Sequence, residues 1–262
     1  MPDSASRRGG QPPRTPPQRV LVAVAHGSAD PRASATVAEL AAVARARWPG
    51  SKGLDLRIAF LGHAPPSLPQ VLSTIETDRE VTVLPLLLTA AYHSKADIPR
   101  LLARLPRPRV SYGATLGPHP LLLRALERRL AEADPSVHEN PARTAVVLAA
   151  AGSSDPEANA TIARLAAQWQ ARMGWFVVRP AYASAAEPSP VAAVTELLRA
   201  GAPRVVVATF LLAPGLFADR IRQSTLSAGA AAVSPALGAC DEVADVLLDR
   251  FAQTGSRGRT AA

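Results

Sequence analysis

The chain has 262 residues, 48% of them apolar and 4% aromatic, with one cysteine and a formal net charge of +8. That length suits two domains of common size, and no apolar run approaches the roughly 20 residues of a membrane-spanning helix. A lone cysteine excludes an intramolecular disulfide framework, and the charge lacks the basic–aromatic clusters that grip nucleic acid, so the expectation is a cytoplasmic protein with neither membrane nor nucleic acid as partner.

Residues 1–18, with Pro12, Pro13, Pro16, Pro17 and several arginines, read as a disordered basic tail with no apolar core of a signal peptide. Val20 to Ala25 is a continuously apolar, β-branched run, as expected of a strand covered on both faces. His26-Gly27-Ser28 then forms a turn, and Asp30-Pro31 opens a helix, Asp as its cap and Pro in its first turn, running to Trp48. A strand at Leu54 to Leu61, a helix at Leu68 to Thr77 and a strand at Val81 to Leu88 follow. Ile98 to Leu105 is a short helix, Val110 to Ala114 a strand and Pro120 to Ala133 an amphipathic helix.

The order then repeats. Residues 135–143, holding Pro135, Asn140 and Pro141, read as a linker in which His138 is solvated. Strands are expected at Ala145 to Ala150, Phe176 to Ala183 and Val205 to Leu212, and helices at Asn159 to Met173, Val191 to Ala200 and Val243 to Phe251. Strands alternating with helices define an α/β fold of two homologous lobes, 19–134 and 144–252, each a parallel four-stranded sheet flanked by helices, with a tail at 253–262. A duplication is written in the chain itself: Ala-His-Gly-Ser-Ala-Asp-Pro at 25–31 returns as Ala-Ala-Gly-Ser-Ser-Asp-Pro at 150–156.

Ligands of open parallel sheets bind beyond the carboxyl ends of the strands, so the residues that follow strands are the candidates for chemistry. His26 follows the first strand, Gly62-His63 the second, and His93 lies in the stretch after the third. Neutral imidazoles converging on one edge can ligate a borderline divalent metal and accept protons near neutral pH. The second copy has Ala151 opposite His26 and, with Leu87-Leu88 set against Leu211-Leu212, Phe217 opposite His93. Both imidazoles are missing together while Gly152, Ser153, Asp155 and Pro156 remain, which argues for one task per molecule rather than for packing. Asp30 and Asp97 read as helix caps, His119 as a loop-to-helix residue and Cys240 as a bystander. The phosphate-cradling glycine patterns and the Gly-x-Ser-x-Gly nucleophile elbow are absent, which discounts nucleotide binding and acyl transfer.

The segments Ala-His-Gly-Ser-Ala-Asp-Pro-Arg, Ala-Phe-Leu with Pro-Pro-Ser-Leu, and Leu-Pro-Leu-Leu-Leu-Thr-Ala-Ala-Tyr-His-Ser-Lys-Ala-Asp-Ile-Pro resemble those of the sirohydrochlorin chelatases, over about residues 19–252. The resemblance implies two chelatase-like lobes facing across a cleft that holds a tetrapyrrole. It implies that His26 and His93 bind the incoming metal and take up pyrrole protons. Iron or cobalt, with nickel as a further choice, would be a substrate, and no organic cofactor is needed. Further candidate contacts to the ring are Ser28, with helix capping as its alternative role, Tyr92, and His119, with a surface position as its alternative. The chain departs from the family pattern after Phe60-Leu61, where the usual carboxylate is replaced by Gly62; His63 stands next, either as a softer substitute ligand or as a solvent-facing residue that leaves the metal two protein ligands. A metal-inserting enzyme of sirohaem or cobalamin biosynthesis, acting as a monomer, is the expected activity; a non-catalytic tetrapyrrole or metal carrier is the alternative.

Overall fold

The computed structural model describes residues 19–50, 53–105 and 109–259, and the tail expected at 1–18 lies outside them. In the first half, strands β1 (Val20–Ala25), β2 (Leu56–Phe60), β3 (Val81–Pro85) and β4 (Val110–Tyr112) alternate with helices α1 (Pro31–Arg47), α2 (Leu68–Ser73), α3 (Ile98–Ala103) and α4 (Pro120–Ala133). The second half carries β5 (Thr144–Ala150), β6 (Val177–Tyr182), β7 (Arg204–Phe210) and β8 (Ala232–Val233) with α5 (Pro156–Met173), α6 (Pro190–Arg199), α7 (Leu216–Ser227) and α8 (Asp241–Arg259). Both sheets are parallel, in the orders β2-β1-β3-β4 and β6-β5-β7-β8. The α/β class, the two sheets and their helices follow the reading of the sequence. Every residue of β1 and of β5 is buried, because these central strands are covered on both faces.

The last helix of each half covers the other half. Helix α4 packs against β7 and β8, and α8 packs against β3 and α1. The exchange is stitched symmetrically: the Arg129 guanidinium donates to the Leu237 carbonyl at 2.8 Å, and its counterpart Arg250 donates to the Leu116 carbonyl at 3.1 Å. Leu122, Leu126 and Leu130, spaced along one face of α4, are fully buried in a core that also holds Trp169 of α5 and Val243 and Leu247 of α8. Each such leucine contributes about 1.5–3 kcal/mol on leaving water. A cut between 134 and 144 therefore severs each sheet from a helix that covers it.

Three expectations need correction. Residues 135–143 are not a free linker: Val137 is fully buried, Pro141–Arg143 forms a short 3-10 turn, and the His138 ring sits 5.5 Å from Trp175 with its Nδ1 buried. The connection is packed because α4 delivers the chain straight into the interface between the halves. Helix α8 runs to Arg259, past the end expected at 251, because nothing but Gly255 and a loss of apolar periodicity marked that end. Helix α7 was not anticipated. Only Ile221 and Thr225 of its residues are buried, and no side chain caps its start at Gly215, so it offers almost none of the usual helix signals.

If the exchanged helices hold the halves together, residues 19–134 expressed alone should unfold without a cooperative transition or self-associate on gel filtration. Mixing with residues 135–262 should restore a cooperative unit.

Candidate active site

Strand register sets the site. Ala25 pairs with Phe60 and Val24 with Pro85, so the segments that leave β1, β2 and β3 emerge side by side at one sheet edge. His26 is the first residue beyond β1. Gly27 follows with φ 91°, and a Cβ there would overlap the Gly62 carbonyl oxygen, so only glycine lets the two turns approach. The Gly62 amide donates to the His26 carbonyl at 3.1 Å, which locks the second turn beside the first. His63 then adopts φ 61°, a left-handed conformation that costs roughly 1–2 kcal/mol for a residue with a side chain. Its side chain faces the cleft between the halves.

His93 opens a π-helical turn, His93–Asp97, that leads directly into α3. Ser94 pins the start of this turn through its hydroxyl to Ala91, and the Tyr112 hydroxyl donates to the Ser94 carbonyl at 2.9 Å. Burial pushes the Tyr112 phenol up to about 12, so it remains a donor. Asp97, expected to cap α3, makes no capping bond; its carboxylate instead lies 2.6 Å from His93 Nδ1. The π turn brings residues four apart together, and a carboxylate on Nδ1 turns Nε2 into the free lone pair.

The three imidazoles converge. The His26 and His93 ring centroids are 4.7 Å apart, and those of His26 and His63 are 6.1 Å apart. Burial, then the neighbouring His93 and His63 rings, hold His26 below the ordinary histidine range, while Asp97 pulls weakly the other way. A lowered pKa favours the neutral form of His26, whose lone pair is then available to a metal. Among the described residues, no three His, Cys, Asp or Glu side chains are arranged to close on one metal ion. The cluster can present a metal to further ligands but does not enclose it.

The histidines line a cleft of about 910 Å³ between the halves, near the upper end of the usual size for small-molecule sites. The opposite wall repeats the same turns without imidazoles. Gly152, with φ 87°, lies against the Ser184 carbonyl as Gly27 lies against that of Gly62, and Ala185 has φ 59° where His63 has 61°. Ala151, Ala185 and Phe217 thus stand where His26, His63 and His93 stand. The pairing of His93 with Phe217 rests on matching backbone bonds: Leu116 donates to Leu87 and Leu237 to Leu211. Two ion pairs join the walls, Lys95 with Asp155 at 2.6 Å and Arg32 with Asp219 at 2.5 Å.

Of the other expected contacts, Ser28 lines the cleft, but its oxygen accepts from the Asp30 amide at 3.0 Å, as Ser153 does from Asp155. It is first a turn residue of both halves. Tyr92 is 57% exposed, does not line the cleft and meets Arg100 at 3.2 Å. His119 is away from the cleft: it caps α4 by accepting from the Leu121 amide at 3.3 Å, with Asp249 at 3.6 Å on its other nitrogen. The flanking prolines gave no hint of direction. Cys240 is buried, and its thiol is raised by that burial. Sequence reasoning missed Asp97 as a partner of His93 and missed Leu216 and Arg220 in the cleft wall; the spacing of Asp97 four residues after His93 was the available signal.

Two homologous α/β halves thus border one cleft, with a cluster of imidazoles on one wall. The CbiX family model matches residues 20–133 and again 145–254, and the chain belongs to that family. A sirohydrochlorin cobaltochelatase from Priestia megaterium is 26% identical over 206 residues, 76% of this chain and 66% of that protein. A sirohydrochlorin ferrochelatase from Bacillus subtilis (strain 168) is 31% identical over 147 residues, 55% of each chain. The matches thus span two thirds or less of these relatives' own lengths. Among solved structures, SirB from Bacillus subtilis with Fe3+ superposes with a TM-score of 0.76 at 24% identity, covering 93% of this chain and 98% of that one. A CbiX structure described as the terminal enzyme for biosynthesis of sirohaem in denitrifying bacteria gives 0.67 at 21% identity, over 90% and 99% of the two chains. These structural likenesses bear on the fold. No helix among the described residues is long and apolar enough to cross a membrane.

The electrostatics can be read directly. In an NMR titration of the metal-free protein, His26 should titrate below a free imidazole. His93→Ala should raise it only part of the way, since burial is the larger cause.

Proposed function

We propose that this chain is a sirohydrochlorin chelatase, inserting Fe2+ or Co2+ into a tetrapyrrole with release of two protons. The observation that carries the reading is the pair of imidazoles, His26 and His93, 4.7 Å apart on one wall of a cleft large enough for a macrocycle. The named relatives, a cobaltochelatase and a ferrochelatase, support the same substrate.

Insertion exchanges two pyrrole protons for a metal. The chain must offer M2+ with open coordination positions, accept protons at the same place and hold the ring still. Desolvation and its imidazole neighbours favour the neutral form of His26, so it can donate a lone pair to the metal and, once the metal has passed to the ring nitrogens, take up the second pyrrole proton with that same nitrogen. His93 is oriented by Asp97 so that Nε2 is its free nitrogen; the carboxylate then stabilises the imidazolium formed when that nitrogen takes a pyrrole proton. Because the cluster does not enclose an ion, a metal held there is released to the four ring nitrogens without breaking a closed shell. His63 occupies the sheet edge where the family pattern has a carboxylate, and its nitrogen would favour borderline metals over harder ones. Iron places the product on the way to sirohaem and cobalt on the way to a corrin. Both walls come from one chain, so a monomer can form the cleft.

The test is metal-insertion kinetics with sirohydrochlorin and Fe2+, Co2+ or Ni2+. His26→Ala and His93→Ala should each slow insertion by about 100-fold or more, the scale of lost acid–base catalysis. Wild-type rates no faster than those of the double variant, with ring binding intact, would leave a carrier. Asp97→Asn should cost about 10-fold, the scale for a residue that orients a metal-binding histidine. His63→Ala should change the preference among the metals; identical rates for all three would remove His63 from the mechanism.

A further inference from the structure

Helix α7 borders the cleft: Arg222 bonds it to its own sheet by donating to the Val233 carbonyl at 3.1 Å, and Asp219 reaches Arg32 of the opposite wall in an exposed ion pair. Its first turn nevertheless exposes two large apolar side chains next to each other: Leu216 is 80% exposed and Phe217 is 44% exposed, and both line the cleft. An adjacent exposed Leu-Phe pair on a turn held in place is an apolar surface awaiting a partner. Arg220, one turn on, also lines the cleft, is exposed, and its guanidinium has no hydrogen bond or ion pair among the described residues. On the same wall, Ala151 stands where the other wall has His26, so bulk is removed as well as imidazole.

From this arrangement we propose that the second half is the seat of the macrocycle: Phe217 and Leu216 lie against one face of the ring, and Arg220 takes a carboxylate on its rim. The inference rests on the chelatase reading and deepens it. One wall presents the metal and takes protons; the other binds the ring and takes no part in proton transfer. A flat conjugated ring matches the Leu-Phe surface, because an aromatic side chain stacks on a π system and apolar area leaves water on both sides. A planar guanidinium without a protein partner suits a carboxylate, to which it can bond bidentately. Without imidazole on this side, the metal enters from the His26 face alone.

The experiment is metal-free ring binding, measured by fluorescence quenching with uroporphyrin, an octacarboxylate porphyrin, as the probe. Phe217→Ala should weaken binding by about tenfold, the upper range of an aromatic contact. Arg220→Gln should weaken it by about fivefold, the upper range of an exposed ion pair, and should reduce its dependence on ionic strength. Arg220→Lys should recover the ionic-strength dependence but only part of the affinity, because the paired geometry is lost. Both side chains are exposed, so circular dichroism and thermal midpoints should match wild type. If wild type binds the ring and inserts metal while Phe217→Ala and Arg220→Gln bind it unchanged, the ring seat is overturned and the chelatase reading stands. If wild type neither binds the ring nor inserts metal, both fall.

Discussion

The site depends on one contact, the approach of the first turn to the second at Gly27 and Gly62. Parallel pairing places β1 between β2 and β3, but pairing alone only brings the strand ends near each other. With no side chain at Gly27, the first turn can press against the Gly62 carbonyl, and the Gly62 amide closes on the His26 carbonyl. Both turns are thereby fixed, and the imidazoles on them share one opening. The same contact between Gly152 and Ser184 holds the other wall, where no imidazole follows. The strained backbone at His63 is thus a property of the turn, since Ala185 shares it. The scaffold came with a place for a side chain, and one half filled that place with a histidine.

The duplication also explains how the cleft is closed. Each half lends its last helix to the other, with Arg129 and Arg250 making equivalent bonds to the exchanged partners. The buried leucines of α4 and the apolar residues of α8 thus form one core that runs through both halves. Two rigid walls joined along such a core leave a gap of set width, and the ion pairs Lys95–Asp155 and Arg32–Asp219 span it. Those pairs are exposed and individually weak, so they can open without disturbing the core. The cleft has firm walls and loose ties.

Much of this was legible in the residues. The apolar runs of β1, β3 and β5 read as strands and are buried strands, and Asp30-Pro31 marked the start of α1; α5, by contrast, begins at Pro156, three residues before the Asn159 expected, because the second Asp-Pro pair acts as the first does. His26 and His93 could be placed on one edge because topology carries every strand end of a parallel sheet to the same side. Asp97 was misjudged, since a cap before Ile98-Pro99 is what local rules predict; a π turn is an irregularity that packing against Tyr112 supports, and local rules do not see it. His119 was misjudged for a related reason. Its position at a loop-to-helix junction is local, but the direction of its side chain depends on α8, which arrives from far along the chain.

The sequence by itself determined the doubled α/β plan, the strands, the edge that bears the chemistry and the half that carries the histidines, because burial and turn geometry are written in apolar periodicity and in Gly, Asp and Pro. Only the tertiary structure decided the exchange of α4 and α8, the bond from Asp97 to His93, and the facing of Phe217 and Arg220 across from the imidazoles. Those outcomes depend on how distant surfaces fit together, and no local pattern of residue types encodes that fit.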